Sequence, residues 1–273
     1  MTPLLLVILI SSAVCAFAWI ASLITQDHSW VDRIWSIVPA VYVWVYAIFA
    51  GLQDPRLNVM AALVTLWALR LTFNFARKGG YSGAEDYRWP VLRARMKRWQ
   101  FELFNLFFIV LYQNFILVLI ALPSQTAYEH RSTPFGVWDI VLTVAFLAFL
   151  VGETVADQQQ WNFQNWKLAE RAAGREPSPR FLQSGLFRVS RHPNFFFEQA
   201  QWWVIFFFGA AAAGSVLQWT VAGAFLLTVL FIGSTVFTES ITLSRYPEYT
   251  EYQRTTSALV PWWPRKKNVV ATA

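Results

Sequence analysis

Residues 3–25, PLLLVILISSAVCAFAWIASLIT, hold no charged side chain and few polar ones. A bilayer's hydrocarbon core requires about 20 mostly apolar residues per helix, so this stretch predicts a membrane-spanning helix. The small residues around Ala13, Cys15 and Ala16 would also suit a signal-peptide cleavage site. No basic n-region precedes the run, however, and the run is long for a signal, so a retained helix is expected. Similar runs recur along the chain: Ile34 to Gly51, Leu57 to Ala76, Phe101 to Leu122, Phe135 to Val155, Phe195 to Ala213 and Val216 to Phe237. The expectation is an all-α, polytopic integral membrane protein of about seven transmembrane helices, built as a single membrane domain over 1–273. Pro39 and Pro123 fall in or just past spans, where a kink or a stop is expected. The small residues Ala211 to Ser215 predict a tight turn joining the last two spans as a hairpin.

Composition agrees. The chain is 56% hydrophobic and 14% charged, whereas soluble domains are nearer one quarter charged. One cysteine, Cys15, and three scattered histidines argue against a disulfide framework or a metal centre. The net charge of +6 does not read as nucleic-acid binding, because the basic residues lie in loops beside apolar spans. Seven lie between Arg77 and Gln100, six between Glu153 and Phe195 (Lys167, Arg171, Arg175, Arg180, Arg188 and Arg191), and five after Phe237, including Arg265, Lys266 and Lys267. With seven spans these three segments share one side, with Arg56 and Arg131 opposite. The positive-inside rule then places the N-terminus outside and the C-terminus in the cytoplasm. The compartment follows the cell type: endoplasmic reticulum in a eukaryote, cytoplasmic membrane in a bacterium.

Four segments carry polar groups where lipid makes them costly. In Gly152-Glu-Thr-Val-Ala-Asp157, Glu153 and Asp157 are four apart and share a helical face, which Gln160 and Gln164 extend. In Ser184-Gly-Leu-Phe-Arg-Val-Ser-Arg-His-Pro-Asn194, Gly185 permits a turn and Pro193 suits the first turn of the next helix. Arg188, Arg191 and His192 then converge near that helix's start, an arrangement suited to a phosphate, with Glu198 and Gln201 one and two turns on. Glu239 ends the last span, and Tyr249 and Tyr252, three apart, are placed to share a face over a bound ring. In Leu66-Trp-Ala-Leu-Arg-Leu71, Arg70 sits short of the basic loop, and Asp32 is a candidate partner for it. There is no Walker loop, dinucleotide glycine fingerprint, HExxH or CxxC.

In these four segments, taken in order, the chain resembles the steroid 5α-reductase C-terminal-domain-like membrane family, within the superfamily of sterol reductases and isoprenylcysteine carboxyl methyltransferases. The resemblance implies NADPH held at the cytoplasmic ends of the helices, by a C-terminal part of about 135–264. It assigns Asp157, Asn194 and Glu198 to the cofactor, with Trp202 and Arg70 around it. Glu153 stands where the reductases carry Asn, and Glu239 is a looser match. Arg188, Arg191 and His192 would hold phosphates, and Tyr249 and Tyr252 lie beside them. The catalytic tyrosine of steroid reductases is replaced by Trp67, whose indole N–H is not an acid near neutral pH. The nearest acid to the tyrosine's glutamate partner is Asp32, so Asp32, Trp67 and Glu239 are the catalytic candidates. The implied activity is NADPH-dependent reduction of an activated C=C bond in a lipophilic, sterol-like or isoprenoid substrate. The alternatives are an S-adenosylmethionine-dependent methyltransferase and a non-catalytic lipid-binding protein.

Overall fold

The apolar runs fold as helices whose ends are set by familiar signals. In the computed structural model, residues 1–83 and 85–264 are described; Arg265, Lys266 and Lys267 of the basic tail lie outside the described residues. Helix α1, Pro3–Thr25, matches its predicted span, with Thr2 as N-cap accepting from Leu5 N at 3.2 Å and Pro3 in its first turn. The second run breaks into α2 (Trp30–Ile34) and α3 (Val38–Phe49), with Pro39 in the first turn of α3. Helix α4, Pro55–Arg77, is capped by Asp54, whose Oδ1 accepts from Leu57 N at 2.8 Å. Short α5 (Arg88–Arg93) precedes the run formed by α6 (Arg98–Phe104), a π-helical stretch (Asn105–Tyr112), α7 (Gln113–Ala121) and α8 (Pro123–Glu129). Then come α9 (Val137–Ala172), α10 (Pro193–Ala213), α11 (Val221–Arg245) and α12 (Tyr249–Thr255).

Among the described residues, six helical runs are long and apolar enough to cross a membrane. The chain is thus an all-α, polytopic membrane protein. The expected seventh span is α10, a helix of 21 residues that does not meet the hydropathy of the others; it carries Glu198, Gln199 and Gln201. Two more boundaries differ from expectation. Helix α9 runs 36 residues, about 54 Å at 1.5 Å per residue, well past the roughly 30 Å core. The expected hairpin turn ends α10 with Gly214 at φ +66°, but α11 begins only at Val221, after a longer link.

The chain forms two compact units. The first comprises Met1–Leu147 and Trp202–Leu227; the second comprises Ala148–Gln201 and the described chain from Thr228. In the first, α3 packs on α4 and α7, and α1 packs on α3, α7 and the π-helical stretch. Glycines let backbones approach there. A Cβ on Gly223 would stand 2.3 Å from the Leu119 carbonyl oxygen, and one on Gly209 would stand 2.8 Å from that of Pro123.

The π-helical stretch changes the period of the run it interrupts. In an α-helix, a residue four positions on is rotated about 40° past its starting face. A π-helix closes each bond one residue later and winds more slowly, rotating positions four apart back the other way, so the mixed run averages about four residues per turn. Burial follows that period of four. Phe101, Asn105, Ile109, Gln113 and Leu117 are buried, while Leu103, Phe107, Leu111 and Phe115 are exposed. Phe104, Phe108 and Tyr112 accordingly stack ring on ring, with centroids 4.8 and 5.5 Å apart. Asn105, fully buried, donates from Nδ2 to Ser22 Oγ on α1 at 2.9 Å.

One charge pair closes the first unit. Arg56 donates from Nε and Nη2 to the Asp139 carboxylate at 2.6 and 2.9 Å, and its remaining bonds reach the carbonyls of Thr133 and Pro134. Both side chains are almost fully buried. Arg56, one of the two arginines expected on the sparsely basic side, is therefore neutralised within the fold. Arg56→Met would strand a buried carboxylate and cost about 3–5 kcal/mol, whereas Arg56→Met with Asp139→Leu should cost much less than the two single changes together. Denaturation of the purified variants measures this cycle, and simple additivity would show that the two residues are not coupled.

Candidate functional site

In the second unit the Arg-His-Pro turn is folded around a carboxylate. The chain after α9 returns through a short 3₁₀ turn, Gly185–Arg188, in which Gly185 takes φ +61°. A Cβ there would stand 2.5 Å from the Gln159 amide, which instead accepts from Leu186 N at 2.9 Å. Pro193 then opens α10, as its fixed φ favours.

Glu239, on α11, is the centre of the cluster. Its Oε1 accepts from Arg191 Nε at 2.6 Å and Tyr249 Oη at 3.1 Å, and lies 3.0 Å from His192 Nε2. Its Oε2 accepts from Arg191 Nη2 at 3.0 Å and Gln253 Nε2 at 2.7 Å. The other Arg191 nitrogen, Nη1, donates to the carbonyls of Gln253, at 3.1 Å, and Thr256. Burial opposes the charge on Arg191, yet its hydrogen bonds and ion pair with Glu239 hold its pKa above the ordinary value. Burial first, and then the Glu239 charge, push the Tyr249 phenol well above its usual range, so it remains a donor. The segment after α12 is strapped to the same turn. Arg191 N donates to Ser257 O at 2.8 Å, His192 N to Ala258 O at 3.1 Å, Ser190 Oγ to Leu259 O at 2.6 Å, and Trp262 N to Val189 O at 2.9 Å.

The expected convergence at the helix start therefore takes a different form. Arg191 and His192 meet on Glu239, not on an open anion site, while Arg188 is exposed and Asn194 is half-buried in the first turn of α10. Tyr249 and Tyr252 do share a ring, but the ring is the chain's own Phe181, with centroids 5.0 and 5.7 Å away. The Tyr252 hydroxyl donates to the Phe187 carbonyl. Only the folded turn brings Gln253, Phe181 and the strap to Glu239 and the tyrosines.

A second polar group lies on α9 and α10. Glu153, Asp157, Glu198 and Gln201 are all buried. Gln201 Nε2 donates to Glu153 Oε2 at 2.6 Å, while Gln201 Oε1 has no hydrogen-bond partner among the described residues. The bond sets the two helices in register, with Asp157 one turn beyond Glu153 and Glu198 one turn before Gln201. Gly152 allows the approach, since a Cβ there would stand 2.7 Å from the Phe197 ring.

The remaining candidates belong to the first unit. Trp67, fully buried on α4, meets Trp202 edge to face at 4.9 Å, and neither indole N–H finds an acceptor among the described residues. Arg70 is half-buried one turn beyond Trp67. Asp32, read as a partner for Arg70, takes its hydrogen bonds from Arg88 Nη2 at 3.3 Å and Trp89 Nε1 at 3.0 Å. Those donors come from α5, whose contact with α2 the sequence did not disclose.

Fold and polar clusters together define a polytopic helical membrane protein that buries carboxylate and amide groups within its helices. Over residues 18–256 the chain matches the profile described as protein of unknown function (DUF1295), and it belongs to that family. It is 37% identical to the "uncharacterized protein C594.04c" of Schizosaccharomyces pombe over 267 residues, covering 92% of this chain and 77% of that protein. No solved structure matches the chain.

Glu239→Ala leaves Arg191 without its carboxylate and should destabilise the second unit by about 3–5 kcal/mol. Amide hydrogen exchange should accelerate at Arg191, His192 and Trp262, whose N–H groups the strap now engages. Unchanged protection there would show that the strap holds without Glu239.

Proposed function

We propose that this chain is a membrane oxidoreductase that uses NADPH to reduce an activated C=C bond of a lipophilic, sterol-like or isoprenoid substrate. The observation that carries the reading is the buried carboxylate–amide group of α9 and α10. Asp157 and Glu198 stand at positions that the steroid-reductase resemblance assigns to the cofactor. Beside them the unpartnered Gln201 Oε1 is an acceptor suited to an N–H donor such as a nicotinamide carboxamide. Asp157, Asn194, Glu198 and Gln201 would hold ribose hydroxyls and the carboxamide, and exposed Arg188 would meet phosphate. When bound, the cofactor supplies a hydride. The chain's own residues bind, orient and exclude water. Arg191 and Glu239 act as a frame, fixing the turn from which Asn194 and Glu198 project. In the first unit, the buried Trp67 and Trp202 N–H groups and the Tyr42 and Tyr46 hydroxyls lack partners among the described residues. Sparse polar atoms in an apolar bundle suit a lipophilic substrate bearing few oxygens.

A second reading, S-adenosylmethionine-dependent methyl transfer, is favoured by the acidity of the second unit. Glu153, Asp157, Glu198 and Glu239 are buried there, against Lys167 among the basic residues, and Arg191 is committed to Glu239. Such surroundings suit a sulfonium cation better than a pyrophosphate. Thermal unfolding of the purified chain with NADPH or S-adenosylhomocysteine separates the readings. At 100 times Kd, NADPH should raise Tm by about 5–10 °C, and Asp157→Ala or Asn194→Ala should abolish the shift. Protection by S-adenosylhomocysteine alone would favour methyl transfer, and protection by neither would favour a non-catalytic lipid-binding role.

With α10 as a seventh crossing, the distribution of basic residues favours a cytoplasmic C-terminus, in the endoplasmic reticulum or a bacterial cytoplasmic membrane. In a Cys15→Ser background, an impermeant maleimide applied outside should label Ser132→Cys but not Ser178→Cys. The reverse pattern would invert the topology.

A further inference from the structure

The junction of α5 and α6, in the first unit, joins a basic outer surface to an apolar anchor. On its inner side Trp89, Leu92, Met96 and Phe101 pack into one apolar cluster with Ile109 and Val110. The segment 93–99 is therefore pinned to the helical run that begins at Arg98. The outer face of that run carries the lipid-facing stripe of period four, Leu103, Phe107, Leu111 and Phe115, and Trp99 heads the stripe at 61% exposure. An exposed Trp at the start of such a stripe marks the headgroup level of the bilayer.

At that level Lys97 and Arg98 are exposed, and their charged ends make no hydrogen bond or ion pair among the described residues. Arg93, also exposed, is engaged by Glu85. Two cations are thus held at headgroup depth by packing beneath them, without a carboxylate to neutralise them. We propose that Lys97 and Arg98, with Trp99 against the acyl region, form a binding site for the phosphate of an anionic phospholipid headgroup. Charge complementarity and continuity with the lipid-facing stripe favour a lipid over a soluble anion. Each cation near such a surface strengthens binding about fivefold, an effect that salt screens.

The full chain is reconstituted into nanodiscs of phosphatidylcholine, with or without one-third phosphatidylglycerol, and its Tm and co-retained lipid are measured. Phosphatidylglycerol should raise Tm and be retained in preference to phosphatidylcholine. Lys97→Gln with Arg98→Gln should weaken that retention about 25-fold, while Arg175→Gln with Arg254→Gln, an equal loss of charge elsewhere, should leave it intact. Inorganic phosphate added to phosphatidylcholine discs should have no effect. Full retention by the Lys97/Arg98 variant, an equal loss in the control variant, or an equal rise in Tm with inorganic phosphate would each overturn the proposal.

Discussion

A hydrocarbon solvent offers no hydrogen bonds, so every charge and backbone group placed in it must be satisfied by the chain itself. Burial within the fold imposes the same demand at the helix ends, where the two best-defined polar structures lie. Arg56 meets Asp139 in the first unit, and Arg191 meets Glu239 in the second, each arginine giving Nε and Nη2 to its carboxylate and Nη1 to the main chain. The planar fork of arginine makes this arrangement available in a way that a lysine ammonium does not. The two pairs fix different things. Arg56 ties the start of α4 to the start of α9, and Arg191 ties a turn to the strap that follows α12.

The same constraint limits how helices carry polar side chains. The run from Arg98 to Glu129 buries Asn105, Gln113 and Asn114 on a face that an unbroken α-helix would rotate away within a few steps of four. The π-helical stretch keeps that face aligned, so that amides stay toward the first unit's interior and phenylalanines and leucines stay toward lipid. It widens the turn while keeping the backbone helical through the span. The stacked Phe104, Phe108 and Tyr112 follow from the same alignment.

Much of the fold was legible in sequence because lipid acts on composition. The charge-free run from Pro3 and the break near Pro39 appear as read, whereas the helical run carries on past Pro123, which opens α8. The period of four in Phe101, Asn105, Ile109, Gln113 and Leu117 was also written there, yet a plain apolar count registers only a span. Helix α10 is harder, since Glu198, Gln199 and Gln201 reduce its hydropathy for a reason that lies in tertiary contact: Gln201 answers Glu153. Spacing brought Arg191, His192 and Glu239 forward as polar residues at helix ends. It gave no sign that they would bind one another, because the pair is 48 residues apart and joined only by folding. Asp32 misled for the same reason, its donors Arg88 and Trp89 arriving from a loop that composition marks only as basic.

The closure of Arg191 on Glu239 bears on what the second unit can recognise. A guanidinium whose donors already face a carboxylate and two carbonyls presents no free fork to a dianion, and withdrawing it would strand Glu239 in a buried site. Any anion bound at the Arg-His-Pro turn would have to be met by a group that the turn leaves exposed, as Arg188 is. The interior offers a different chemistry, of carboxylates and amides that accept hydrogen bonds or attract positive charge. A ligand that reaches both must carry hydroxyls or amides at one end and charge at the other. A reduced dinucleotide meets that description with its ribose and carboxamide inside and its phosphates at the exposed edge, whereas a sulfonium cofactor would seat its charge among the acids. Whether a bound cofactor would seat its charge at the exposed edge or among the acids is thus the physical question that divides the two proposed chemistries.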